Sequence, residues 1–199
     1  SRGLGDVYKR QLQDQFNMAN IRMLRNLHCD VHVACNFVQG NNTSPQRIAV
    51  FQNELAALGV TCHQIDFARS PFHLLQNHRA YQQLKAVLRA DTFDCIHCHT
   101  PVGGILARLA ARKSRKRGTK VIYTAHGFAF YKGAPVRRIL FKLPEKLCAR
   151  WTDVLITINR EDARYAAHAL HPARTEWIPG VGVDLSAVSY THLTLPTTE

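Results

Sequence analysis

Acidic residues are scarce in this sequence: 14 Asp and Glu stand against 26 Lys and Arg over 199 residues, a formal charge of +12. That imbalance points to anionic partners such as phosphorylated ligands, a membrane surface or nucleic acid, and does not choose among them. Long apolar runs are absent too. None approaches the roughly 18 to 20 residues that a membrane-spanning helix needs, and no secretory leader pattern is visible. Neither G-x-G-x-x-G nor G-x-x-x-x-G-K occurs, so the dinucleotide fingerprint and the P-loop are both lacking. What remains is a chain with 46% hydrophobic residues, enough for a sizeable core and too apolar for a disordered tail. Its six cysteines (Cys29, Cys35, Cys62, Cys95, Cys98, Cys148) are scattered through apolar segments, which reads as a reduced, intracellular protein.

The two ends differ from the middle. Ser1 to Gln11 and Ser189 to Glu199 share neither periodicity nor composition with the rest and read as translated adaptor sequence. The expected organisation is therefore an adaptor-like stretch over 1–11, one domain over 12–185 and a mostly adaptor-like tail over 186–199.

Within that domain the hydrophobic period switches repeatedly between 3.6 and 2. Helices are predicted over 12–27, 47–58, 76–89, 102–113, 136–150 and 160–170, and strands over 31–35, 60–65, 94–98, 120–125, 153–158 and 175–178. Gly59 falls where a left-handed cap would end the second helix. Strict alternation, with Val- and Ile-rich strands, predicts an α/β fold: a doubly wound, Rossmann-like parallel sheet covered on both faces. A helix opens the series where a strand normally would. The strand missing from the start belongs in the middle of the sheet, between 31–35 and 94–98, so a gap is expected there, or Val7 and Tyr8 as a poor substitute.

Ligands of such sheets bind outside the carboxyl ends of the strands. Those ends carry Asn36 to Gly40, His97 to Gly104 (HCHTPVGG), Thr124 to Gly133 (TAHGFAFYKG) and Thr157 to Glu161. Thr100 and Pro101 form a strong helix start, with Thr as N-cap and free N–H groups near Gly103 facing the cleft; Gly103 and Gly104 equally suit close packing. His97 and His99 share one strand face and could hold a metal with His126, but no other residues have metal-site spacing, and no metal is expected. Cys95 and Cys98 point to opposite strand faces and read as two buried thiols. His126, followed by Gly127 and the aromatics Phe128, Phe130 and Tyr131, suits a pocket that stacks an apolar or sugar face and offers one imidazole to a hydroxyl; an ordinary structural histidine is the other reading. The segment IPGVGVDL, with Gly180, Gly182 and Asp184, reads as a linker.

Basic residues concentrate in two windows. Arg108 to Lys120 holds Arg108, Arg112, Lys113, Arg115, Lys116, Arg117 and Lys120 without an acid; Lys132 to Arg150 holds six, including Arg137 and Arg138, against Glu145. Apolar residues interleave with the second window as in an amphipathic surface helix, which favours an anionic membrane over nucleic acid. Arg112, Lys113, Arg115, Lys116, Arg117, Arg137 and Arg138 are the candidate membrane-facing residues.

The runs IHCHTPVGGILARLAAR, VIYTAHGFAFYKGAP, EKLCARWTDVLITINRED and WIPGVGVDL, in that order over Leu12 to about Leu185, resemble the amino-terminal domain of glycosyltransferase family 4, retaining enzymes of the two-domain GT-B fold in bacterial capsule and exopolysaccharide synthesis. The resemblance implies a fragment of a transferase that moves a sugar from a nucleotide donor, a UDP-sugar, to a polyprenyl diphosphate-linked acceptor. It implies peripheral attachment at the cytoplasmic face of the membrane, no nucleic acid, and no cofactor beyond the donor. By similarity His126 is the catalytic residue, and His99, Thr100, Gly103, Gly104, Gly127, Phe128, Tyr131 and Lys132 bind acceptor. The family's usual HGFHFY reads Ala129 at its second aromatic position. The family's donor-holding paired-glutamate domain has no counterpart in these 199 residues, which predicts an inactive fragment. Two alternatives compete: a non-enzymatic basic module for membrane or nucleic acid, and a nicotinamide-binding oxidoreductase, which the missing glycine fingerprint disfavours.

Overall fold

The computed structural model describes residues 3–8, 17–38, 44–128 and 135–180. Among these residues seven strands form one all-parallel sheet: β1 Gly3–Tyr8, β2 Asp30–Cys35, β3 Thr61–Gln64, β4 Cys95–His99, β5 Lys120–Ala125, β6 Val154–Thr157 and β7 Arg174–Trp177. Their spatial order is β3-β2-β1-β4-β5-β6-β7, the doubly wound order with its reversal beside β1. The helices are α1 Met18–Asn26, α2 Pro45–Ala57, α3 Leu74–Ala90, α4 Pro101–Ala110, the short α5 Arg112–Arg115, α6 Pro135–Ala149 and α7 Arg160–Tyr165, which runs on as a π-helical turn over Ala166–Leu170.

The middle of the sheet holds no gap. All six residues Gly3–Tyr8 pair with β2, and Leu4–Val7 also pair with β4. The expected substitute was Val7 and Tyr8 alone. Ladder bonds are main-chain bonds, so an extended segment of ordinary composition can close two edges that would otherwise stay unpaired.

Side-chain alternation divides the core into two layers. Val31, Val33 and Cys35 pack with Met18 and Ile21 of α1 and Phe51 and Leu55 of α2. The opposite face, with Ala34, Ile96, Cys98, Val121, Tyr123, Ala125 and Leu155, packs on Leu84 and Leu88 of α3, Ala107 and Ala110 of α4, Ala149 of α6 and Leu170 beyond α7. All six cysteines are thiols outside any disulfide; Cys98 is buried, whereas Cys95 is only partly so.

One buried ion pair joins two of these helices. Arg108 of α4 donates to Glu145 Oε2 of α6 at 2.7 Å, with side chains 1% and 2% exposed. Its guanidinium lies 4.0 Å from the centre of the Tyr123 ring, and the Tyr123 hydroxyl donates to Glu145 Oε1 at 3.2 Å. Arg108, read from the sequence as part of a basic run, is an interior residue.

Candidate functional site: a histidine row at the carboxyl edge

The last residues of β4 and β5 set the site. His97 and His99 lie two apart and so share a strand face; their ring centroids are 4.1 Å apart. Register pairs His99 with Thr124. His97 Nε2 and Thr124 Oγ1 are hydrogen-bonded at 2.8 Å, and His99 Nδ1 and His126 Nε2 at 3.0 Å. The row His97–His99–His126 thus runs from the sheet interior to its rim. His99 is 2% exposed, whereas His126, just past β5, is half-buried and reaches the edge.

Burial keeps the row neutral. The His97 imidazole is pushed down to about 4, by burial first and by His126 second. His99 falls well below the ordinary histidine value through burial, His97 and His126 in turn, and His126 is lowered by burial. At neutral pH each ring therefore has one N–H donor and one bare nitrogen. His99 and His126 direct the two nitrogens that face each other into a mutual hydrogen bond. Among the described residues no group of three or more His, Cys, Asp and Glu side chains is arranged to hold a metal ion.

Beside this row the chain turns into α4. Pro101 occupies its first turn as expected, but the anticipated hydroxyl cap is not made: the Thr100 side chain forms no capping bond. Thr100 instead adopts φ +63° and ψ 146°, a region nearly confined to glycine, and is buried. A β-branched residue held there marks a turn fixed by its surroundings. Gly103 and Gly104 are buried rather than open to the cleft. A Cβ on Gly104 would come within 2.7 Å of Tyr123 Cε2, so this position is glycine for packing.

The loop after His126 is anchored from α7. Gly127, exposed with φ +115°, lets the chain reverse there. The Phe128 N–H then donates to Asp162 Oδ2 at 3.1 Å, and its ring meets Tyr165 edge-on at 5.9 Å. Asp162 is itself held at the start of α7: its N–H donates to Asn159 Oδ1 at 2.7 Å, and Asn159 Nδ2 donates back to Asp162 Oδ2 at 2.8 Å. Sequence reading passed over Asp162. Its available signal was the Asn-x-x-Asp spacing of a reciprocal helix cap. Tyr131 and Lys132, like Ala129 and Phe130, lie outside the described residues, as do Gly182 and Asp184.

The basic residues distribute differently. Arg112 to Arg117 sit before β5, at the amino edge of the sheet, opposite the histidine row. Arg115 forms a two-pronged pair with Asp153 at 2.9 Å, and Asp153 Oδ2 also accepts the Val121 N–H. Arg112 stacks over Trp151, and Arg117 donates to Leu88 O and Ser114 Oγ. Lys113 and Lys116 are exposed. Arg137 and Arg138 fall in the amino-terminal half of α6, whose opposite end exposes Leu143 and Leu147 beside Lys146. Among the described residues no helix is long and apolar enough to cross a membrane.

The chain is similar in fold and in sequence to known proteins. A solved sucrose-phosphate synthase from Thermosynechococcus elongatus superposes with a TM-score of 0.60 at 11% identity, over 89% of this chain and 48% of that one, a likeness of fold. A protein carrying the name glycosyltransferase EpsD, from Bacillus subtilis, is 43% identical over 171 residues, 85% of this chain and 41% of its own length. An Escherichia coli UDP-Gal:α-D-GlcNAc-diphosphoundecaprenol α-1,3-galactosyltransferase is 33% identical over 117 residues, 56% of this chain and 29% of its own. The chain thus spans less than half the length of these curated relatives. The family model described as a glycosyl transferase 4-like domain matches residues 16–180, from before α1 to beyond β7, and the chain belongs to that glycosyltransferase family.

Proposed function

We propose that this chain is the acceptor-binding half of a retaining glycosyltransferase of polysaccharide synthesis, and that it is inactive alone. The observation that carries the reading is the half-buried, neutral His126 at the rim of a doubly wound sheet, in a chain of this family. In the whole enzyme, a second Rossmann-like domain would hold the nucleotide sugar, a UDP-sugar, over this edge. The acceptor would be a sugar on a polyprenyl diphosphate, the kind of acceptor named for the Escherichia coli relative.

The chemistry assigned to the edge is limited. The bond from the sugar's anomeric carbon to the donor diphosphate breaks, a bond from that carbon to the acceptor hydroxyl oxygen forms on the same face, and the hydroxyl proton passes to the departing diphosphate. His126 fixes the acceptor by a hydrogen bond, and the dipole of α4, whose positive end lies beside the row, favours nearby negative charge. Phe128, beside it, offers an apolar face to a sugar ring.

The whole enzyme would sit peripherally on the cytoplasmic face of the membrane. Exposed Leu143 and Leu147 beside Lys146 on α6 support contact with anionic lipid rather than nucleic acid.

The test joins this chain to the carboxy-terminal part of the Bacillus relative and supplies UDP-sugars with a short polyprenyl diphosphate-linked sugar. Turnover by the joined protein and none by the isolated chain is the expected result. Turnover by the isolated chain would refute its inactivity. A joined, folded protein that neither binds nor glycosylates the acceptor would refute the reading as a whole.

A further inference from the structure

We infer that His99 is a positioning residue for His126: it fixes which imidazole nitrogen His126 presents to a ligand. The inference deepens the reading of His126 as the group that meets the acceptor and rests on it. Sequence similarity assigned His99 to the acceptor itself, but a side chain in a residue 2% exposed, with Nδ1 bonded to His126, is not available for that contact.

A histidine at a chain turn has a soft second torsion, broad and nearly two-fold, so a ring flip puts Cδ2 and Cε1 where Nδ1 and Nε2 had been, at little cost unless a partner distinguishes nitrogen from carbon. His99 is that partner. It approaches His126 Nε2 at 3.0 Å, and it cannot follow a flip, because its own ring is confined from several sides. His99 ends β4, precedes the buried Thr100, and lies against His97, which is tied to Thr124 Oγ1 at 2.8 Å.

Two consequences follow for the rim. With Nε2 engaged inward, only His126 Nδ1 remains for a ligand. Two neutral rings sharing one hydrogen bond also hold complementary states: one of the facing nitrogens bears hydrogen and the other is bare. His126 therefore meets a hydroxyl or diphosphate oxygen through one defined atom, Nδ1, which bears hydrogen when His99 Nδ1 does and is bare when His99 Nδ1 is bare. That pre-orientation is what a positioning partner supplies in a site where small misplacements are costly.

Nitrogen-15 spectra of the histidine-labelled 199-residue chain at neutral pH test this directly. The expected wild-type spectrum shows one protonated and one bare nitrogen at His99 Nδ1 and His126 Nε2. In His99→Phe the His126 nitrogens move toward the average of both tautomers, whereas His99→Asn, which keeps a polar group near Nδ1, restores part of the wild-type pattern. Affinity for a short polyprenyl diphosphate-linked sugar should fall about tenfold in His99→Phe, the loss of one ordered hydrogen bond, and by less in His99→Asn. In a His126→Phe background the His99 change should cost nothing further. His126 nitrogen signals that stay the same in both folded His99 variants would overturn the inference, as would equal affinity losses with and without His126. If the wild-type chain does not bind the acceptor at all, the proposed function fails, and the nitrogen spectra alone decide the role of His99.

Discussion

Two polar clusters lie on opposite faces of β4 and β5, and they are built on opposite principles. Arg108, Glu145 and Tyr123 are wholly interior, oppositely charged and mutually satisfied, with Arg108 also donating to Gly104 O at 2.9 Å. His97, His99 and His126 are neutral and ordered in a row whose last member is half-exposed. The first cluster ties helix α4 to α6 and has no side open to a ligand. The second spends its buried members on aiming the one that reaches the rim. The difference separates a polar group buried for architecture from one buried to hold another group in place.

Breaking the first cluster should cost most. Glu145→Ala leaves Arg108 charged and unpaired in the interior, and a loss of about 3–5 kcal/mol in urea unfolding is expected. Replacing both partners by apolar residues of similar volume should cost far less; equal losses would mean that the pair is not an isolated buried charge pair. The histidine row responds instead to pH. The His97 value lies below its unfolded value of 6.5, at about 4, so between these limits the unfolded chain binds the extra proton. Stability is fully present above about pH 6.5 and drains as pH falls toward 4, by on the order of 3 kcal/mol. His97→Gln should flatten that slope in urea titrations at pH 4.5 and 7.

Smaller effects sharpen the contrast. Gly104→Ala presses a methyl group onto the Tyr123 ring and should cost about 1–3 kcal/mol through packing alone, read as a lower melting temperature. Asp162→Ala removes the acceptor for the Phe128 amide and should cost about 1 kcal/mol, with faster hydrogen exchange at Phe128 and no change at Val121.

Much of this molecule was legible in its sequence, because the periodicity that reveals a doubly wound fold is the same one that buries its faces. β5 falls over Lys120–Ala125 as read, and Gly59 takes the expected left-handed conformation at φ +67°. His126 stood out because glycine and aromatics surround it at a strand end. What stayed hidden depends on distance in the chain. Arg108 reads as one more cation until Glu145, far along the sequence, is seen beside it. Asp162 acts through a backbone amide 34 residues away, and backbone amides carry no sequence signature. Thr100 looked like a helix cap because residue type reports capping preference and not the φ that neighbours impose.

The most direct measurement is the binding of a short polyprenyl diphosphate-linked sugar to this chain and to its His126→Ala variant, followed by calorimetry beside their melting curves. Binding by the first is expected, with at least a tenfold loss in the second and a stability loss of about 1–3 kcal/mol from leaving His99 Nδ1 without His126, both proteins staying folded at the titration temperature. Equal affinities in the two folded proteins would contradict the reading of His126 as the group that meets the acceptor.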